Sequence, residues 1–214
     1  DTLTLDVQRE ARADISKLKL YVIPRDAVNA YSYGVNSVAV TSGMLNACGQ
    51  MSLTAVLAHE VSHTLNLDAC FHRAIFAAVT LLALYLGFMS FAFAALIWLI
   101  FLVLALLGVC RGFLGMFVTR GASNLIKSLF TGIQHALVAV YRIVMGAISR
   151  HAEFRSDAFA AQLGYGLQLS YFLERFASTD NSQQRSLSDL LYSSHPQPYI
   201  RIQRLAEHEQ AGSI

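Results

Sequence analysis

From Ala74 to Cys110 the chain runs for 37 residues without a single charged side chain. About 18 to 20 apolar residues already suffice to cross a bilayer as a helix, so a run this long dominates every other choice open to the fold. Charge stays scarce beyond it. The 75 residues from Ala74 to Ile148 hold only Arg111, Arg120, Lys127 and Arg142, while the other 139 of the 214 residues carry 26 charges. The overall charged fraction of 14% is therefore the work of one apolar insert in an otherwise ordinary chain, set against roughly 25% in an average soluble domain. An ordinary soluble monomer is excluded. Three segments are expected: residues 1–73, a membrane-embedded insert over 74–148, and residues 149–214.

Two topologies fit the insert. In one, a long span lies within 74–110 and a second within about 128–148. In the other, a short hairpin lies within 74–110 and 125–148 runs along the interface. Each limb of that hairpin has about 16 residues, near 24 Å, which is thin against a hydrocarbon core of roughly 30 Å. Two spans are therefore preferred, although the hairpin would keep Arg73, Arg111, Arg120 and Lys127 on one side, as a cytoplasmic face prefers. Both topologies cross an even number of times and return the chain to the side it left.

A formal charge of +2 with no block of like charge argues against a nucleic-acid partner. Cys48, Cys70 and Cys110 form no CxxC pair and read as small apolar residues rather than as a disulfide framework. The sequence starts at Asp1 without a methionine and with no signal segment ahead of its first polar stretch, so the lack of a signal or anchor there counts neither way.

Outside the insert the pattern is α+β and mainly helical. Lys17 to Ile23 alternates, with Leu18, Leu20 and Val22 on one face of a half-buried strand. Two more β-prone pieces, Ala30–Tyr33 and Ser37–Thr41, flank the turn Gly34-Val35-Asn36, and a small antiparallel sheet is expected. Ser52 is placed to cap a helix that continues past His63. A further helix is expected over Ser149–Leu163, ended by Gly164, with shorter ones near 167–177, 185–192 and 199–209.

The first of these helices carries His59-Glu60-Val61-Ser62-His63. Histidines four apart on a helix project from one face and can bind one Zn²⁺, while the glutamate between them is aimed at water activated by the metal. A catalytic zinc needs a third protein ligand and an open position. The extended HExxHxxGxxH form is ruled out by Asn66 and Ala69, and His72, nine residues past His63, points to the opposite helix face and is a bystander. Beyond the insert, Glu153 and Asp157 stand four apart on one helix face. Glu153 has the chemistry of a third ligand, and Asp157 can accept a hydrogen bond from a ligand imidazole. The even number of crossings brings both helices to the same side; the alternative is a solvated acidic pair among arginines.

The order HEVSH, then apolar spans, then SRHAEFRSDAFAAQL resembles the HtpX-type membrane zinc metalloproteases, a branch of the gluzincins. Smaller matches are Asn29-Ala30-Tyr31 ahead of VAVTSGM, Asn66 and Asp68 after the second histidine, and Ser194-His195-Pro196 with Arg201-Ile202; the likeness covers most of residues 20–205. The resemblance implies a gluzincin-like protease domain interrupted by the transmembrane insert, one Zn²⁺ per chain held by His59, His63 and Glu153, and Glu60 as general base. Family members carry two spans ahead of the protease domain with no counterpart here, so the chain is expected to be a fragment, a processed form or a shortened relative. Leu67 stands where the family often has glycine. His195 and Arg201 are candidates to stabilise the charge that develops on the carbonyl oxygen, with a helix-initiating His-Pro and a solvated arginine as the alternatives. The strand Ser37, Val38, Ala39, Val40, Thr41 is expected either to pair as a sheet edge with an extended substrate or to be an internal strand.

The expected function is an integral-membrane zinc endopeptidase of the inner or plasma membrane, cleaving membrane or misfolded proteins in quality control, with its site on the cytoplasmic side. The alternatives are an inactive membrane scaffold, against which the intact Glu60 speaks, and a prenyl-protein processing protease, whose relatives enclose their site with more spans than this chain supplies. A transporter is disfavoured because the insert lacks paired intramembrane carboxylates.

Overall fold

The computed structural model describes residues 17–109, 112–177 and 196–212. The expected helix near 185–192 lies outside them. Among the described residues three strands, β1 (Lys19–Ile23), β2 (Ala30–Tyr33) and β3 (Ser37–Thr41), precede six α-helices: α1 (Ser42–Ala47), α2 (Gln50–Leu65), α3 (Asp68–Leu106), α4 (Phe113–Gln162), α5 (Gly166–Phe172), continued by a π turn over Leu173–Ala177, and α6 (Pro198–Gly212). The chain divides into two compact units, residues 1–73 with 144–214, and residues 74–143.

In the first unit the sheet has the order β1-β3-β2. β2 and β3 are antiparallel, as expected, but β1 runs parallel to β3, so the sheet is mixed. This corrects the reading of Ser37 to Thr41 as a substrate-pairing edge. Both hydrogen-bonding sides of β3 are taken, and Val38, Val40 and Thr41 are buried. Alternation along a strand reports which face is apolar, not which neighbours it pairs with. β1 is an edge, and its Leu20 and Val22 remain more than half exposed while Leu18 alone packs on the core.

One face of the sheet packs on α2. Ala30, Val40, Met44, Ala55, Val56, Ala58, Ala160, Leu169 and Leu205 form a continuous core that draws on the sheet, α2 and the segments after residue 144. Thr41 closes the strand and opens α1, accepting a hydrogen bond from the Met44 amide at 3.2 Å. α2 starts three residues earlier than a cap at Ser52 predicts, from Gly49, which offers no side-chain cap. At the far end of α4, Gly164 (φ 84°) donates its amide to Ala161, and Tyr165 donates to Ala160. This is the glycine stop expected from the sequence.

α2 and α3 meet at a tight joint. Leu67 there has φ 56° and a side chain 46% exposed. The left-handed region costs a non-glycine residue about 1–2 kcal/mol, whereas glycine enters it freely but loses about 0.5–1 kcal/mol of chain entropy. Leu67→Gly is therefore expected to raise stability slightly, by up to about 1 kcal/mol, and Leu67→Val to lower it. Thermal unfolding of the two variants checks this; a clear loss in the glycine variant would show that the leucine packs usefully at this joint.

In the second unit α3 is unbroken through its apolar run, which removes the short-hairpin topology. α3 and α4 are both long and apolar enough to cross a membrane. They run side by side: Gln134 donates to the Ala83 carbonyl at 2.6 Å, and the Phe93 and Phe130 rings lie 5.9 Å apart. Most of the large apolar side chains of this pair, from Phe76 and Leu81 to Phe117 and Leu129, point outward. Such a surface far exceeds what a water-soluble monomer exposes.

Candidate metal centre

α2 presents His59 and His63 one turn apart, and α4 brings Glu153 to them. One ligand atom from each lies within 4.8 Å of the others. The two Nε2 atoms are 3.1 Å apart, with the rings at 80°. Glu153 places Oε2 3.4 Å from His59 Nε2 and Oε1 3.7 Å from His63 Nε2. His59 and Glu153 are buried, at 5% and 6% exposure. The approach of the two helices rests on small side chains, since Ser156 Oγ donates to Ser62 Oγ at 3.1 Å and both serines are nearly inaccessible.

Each histidine is held from behind by its own carboxylate. His59 Nδ1 donates to Asp157 Oδ1 at 2.9 Å, and His63 Nδ1 donates to Asp68 Oδ2 at 2.8 Å. With Nδ1 committed to its carboxylate, each imidazole turns Nε2 toward the position a cation would take in place of a proton, which is the usual arrangement of histidine ligands. Two imidazole nitrogens and a buried carboxylate suit Zn²⁺ in type and number, with room for a fourth ligand. Burial alone would lower the His59 pKa, but hydrogen bonding to Asp157 and Glu153 outweighs it and pushes the pKa up to about 9. Burial would raise the Asp157 carboxyl, but the hydrogen bonds from His59 and Arg201 hold it below its ordinary value.

Arg201, from α6, sits inside this cluster with its side chain only 11% exposed. Nε and Nη2 make a two-pronged contact with Asp157, at 2.8 and 2.6 Å, and Nη1 lies 3.0 Å from Glu153 Oε2. The alternative of a solvated arginine is excluded: the fork lies inside the cluster, engaged by two buried carboxylates of the candidate site. His195 lies outside the described residues. His72 is apart from the cluster, its Nε2 3.2 Å from Ser149 Oγ.

Asp68 and Arg155 carry roles that the motif spacing did not reveal. Arg155 Nη2 donates to both oxygens of Asp68, at 2.7 and 2.8 Å, fixing the carboxylate that holds His63. Removing such an outer partner typically costs 10- to 100-fold in metal affinity. Asp68→Ala is expected to weaken zinc binding by about that factor in a chelator competition; an unchanged affinity would show that His63 needs no support. The only sequence signal was an acid five residues past the second histidine, legible once the turn at Leu67 is known.

The sequence profile of "Peptidase family M48" matches residues 2–209. The chain belongs to peptidase family M48. Its relatives within M48 include a "Protease HtpX homolog" of Nostoc sp. (strain PCC 7120), 28% identical over 95% of this chain and 72% of the relative, and one of Acaryochloris marina, 29% identical over 95% and 71%. "Protease HtpX" of Serratia proteamaculans is 26% identical over 93% and 70%. Among solved structures, that of S. mikatae Ste24p matches with a TM-score of 0.57 at 22% identity, covering 95% of this chain and 49% of the other, and shows the fold alone. M48 membership together with the His59, His63 and Glu153 cluster makes the chain a metalloprotease.

Proposed function

We propose that the chain is an integral-membrane zinc endopeptidase that cleaves membrane or unfolded polypeptides at the bilayer surface, with His59, His63 and Glu153 as metal ligands and Glu60 as general base. The convergence of the three donors from two helices, each histidine backed by a carboxylate, supports this reading. Zinc supplies Lewis acidity, which makes water a nucleophile near neutral pH. Glu60 is half-buried on the same helix, and among the described residues its carboxylate makes no hydrogen bond or ion pair. It is therefore available to take a proton from the attacking water and return it to the leaving amine. Asp157, Asp68, Arg155 and Arg201 hold the ligands still while this happens. A substrate strand that adds to the sheet would have to use the outer side of β1 or β2, because β3 is enclosed. A role in quality control and a site on the cytoplasmic face follow the HtpX resemblance.

The purified chain in detergent is expected to hold about one zinc and to degrade an unfolded test protein in a chelator-sensitive way. A zinc-loaded sample that hydrolyses nothing would favour the inactive-scaffold reading instead.

A further inference from the structure

The sheet has a second face, turned away from α2. Cross-strand partners point to the same side, and the register places Lys19, Ser37 and Tyr33 in one row and Tyr21, Ala39 and Tyr31 in the next. Ala30, Val38 and Val40 fall on the opposite side, in the core. The outward face therefore carries three tyrosines. Tyr33 is 66% exposed, Tyr21 51% and Tyr31 39%, and Val35 in the β2–β3 turn is 61% exposed. An exposed aromatic sheet face of this kind calls for a partner.

Two observations indicate what covers it. The Arg73 guanidinium stacks over the Tyr33 ring, 4.9 Å from its centroid. Arg73 is also the last charge before the 37-residue uncharged run, which opens at Ala74. The uncharged part of α3, Ala74–Leu106, is about 50 Å long at 1.5 Å per residue, enough to pass through a whole bilayer of about 40–45 Å including headgroups when tilted. That puts Arg73, and the Tyr33 ring beneath it, at the headgroup level. The second observation is charge. From Lys17 to Arg25 there is no acid, so Lys17, Lys19 and Arg73 leave this end of the sheet cationic. Tyrosine and arginine, each with an apolar body and a polar tip, are suited to the membrane interface.

We propose that the face bearing Tyr21, Tyr31, Tyr33 and Val35 rests in the phospholipid headgroup layer, with Lys19 and Arg73 on phosphate oxygens, as a second membrane contact beside the spans. The proposal rests on the reading of α3 and α4 as membrane spans, and the test separates the two. The native chain has one tryptophan, Trp98, in α3. In phosphatidylcholine–phosphatidylglycerol vesicles, Trp98 of the unaltered chain should be quenched by lipids brominated in the acyl chain. In a Trp98→Phe background the Tyr33→Trp reporter should lose more than about half its emission to a headgroup nitroxide lipid, and less to one labelled deep in the chain. Tyr21→Trp carries the same expectation, should the first reporter fold poorly. Emission that iodide quenches and lipid nitroxides do not would overturn the proposal, as would shielding from both, which marks a protein cover. If Trp98 itself escapes the brominated lipid, the membrane reading falls and takes this one with it. If Trp98 is quenched and neither reporter is, only this proposal fails.

Discussion

Glu60→Gln is expected to cut peptide hydrolysis by roughly 10²- to 10⁴-fold while zinc content stays unchanged. Glutamine keeps the size and shape of glutamate, so α2, its packing on the sheet and the His59 and His63 positions should survive. What is lost is the ability to accept a proton from water and return it to the amine. The loss should fall on kcat rather than on KM, because the proton moves only as the transition state is reached. Metal analysis beside a single-turnover assay checks both halves of the expectation. Wild-type turnover in the variant would remove Glu60 from the chemistry.

Arg201→Ala should have the largest effect on stability. The guanidinium is the shared partner of two buried carboxylates, Asp157 at 2% and Glu153 at 6% exposure. Deleting one member of a buried ion pair strands the other, at a cost of about 3–5 kcal/mol. Zinc offsets part of this by neutralising Glu153, so the zinc-free variant should lose more than the loaded one in denaturant titrations. An equal and small loss in both would show that water reaches the cluster. In the zinc-free wild type the pH dependence has a definite sign. Asp157 is depressed from an ordinary value near 3.8, so its contribution is present above that pH and is lost as the pH falls below it. His59 is raised from about 6.5 to about 9, so its contribution is full below 6.5 and disappears as the pH climbs through 9. Stability of the zinc-free chain should accordingly be greatest between about pH 4 and 6.5.

The candidate metal cluster is legible in the sequence because helix geometry turns a spacing of four into a shared face. His59 with His63 and Glu153 with Asp157 could be paired on paper, and so could the helix stop at Gly164. What stayed hidden depends on contacts between distant segments. Nothing in Ser37 to Thr41 says that β1 will pair beside it in parallel, and the alternation of Leu18, Leu20 and Val22 does not reveal that only Leu18 finds a core. The sequence offers Arg201 as a candidate cation, but its orientation is set by Asp157, 44 positions away. Asp68 was visible only as an acid after the motif; its partners His63 and Arg155 lie on two different helices. The left-handed backbone at Leu67, which sets the start of α3, has no signature in a leucine.

The proposed ligand set is split across the chain, with Glu153 arriving 90 residues after His63. At about 5–20 residues per second, a ribosome needs roughly 5–20 s to make the difference. During that interval the nascent chain displays HEVSH without its third ligand, and without Asp157 to orient His59 or Arg155 to fix Asp68. With the proposed ligands, hydrolysis would begin only after the second long helix has been made and has delivered its far end back to α2. The order of synthesis thus acts as a safety catch: a destructive activity stays unarmed on the ribosome and is switched on by completion of the segment that lodges it.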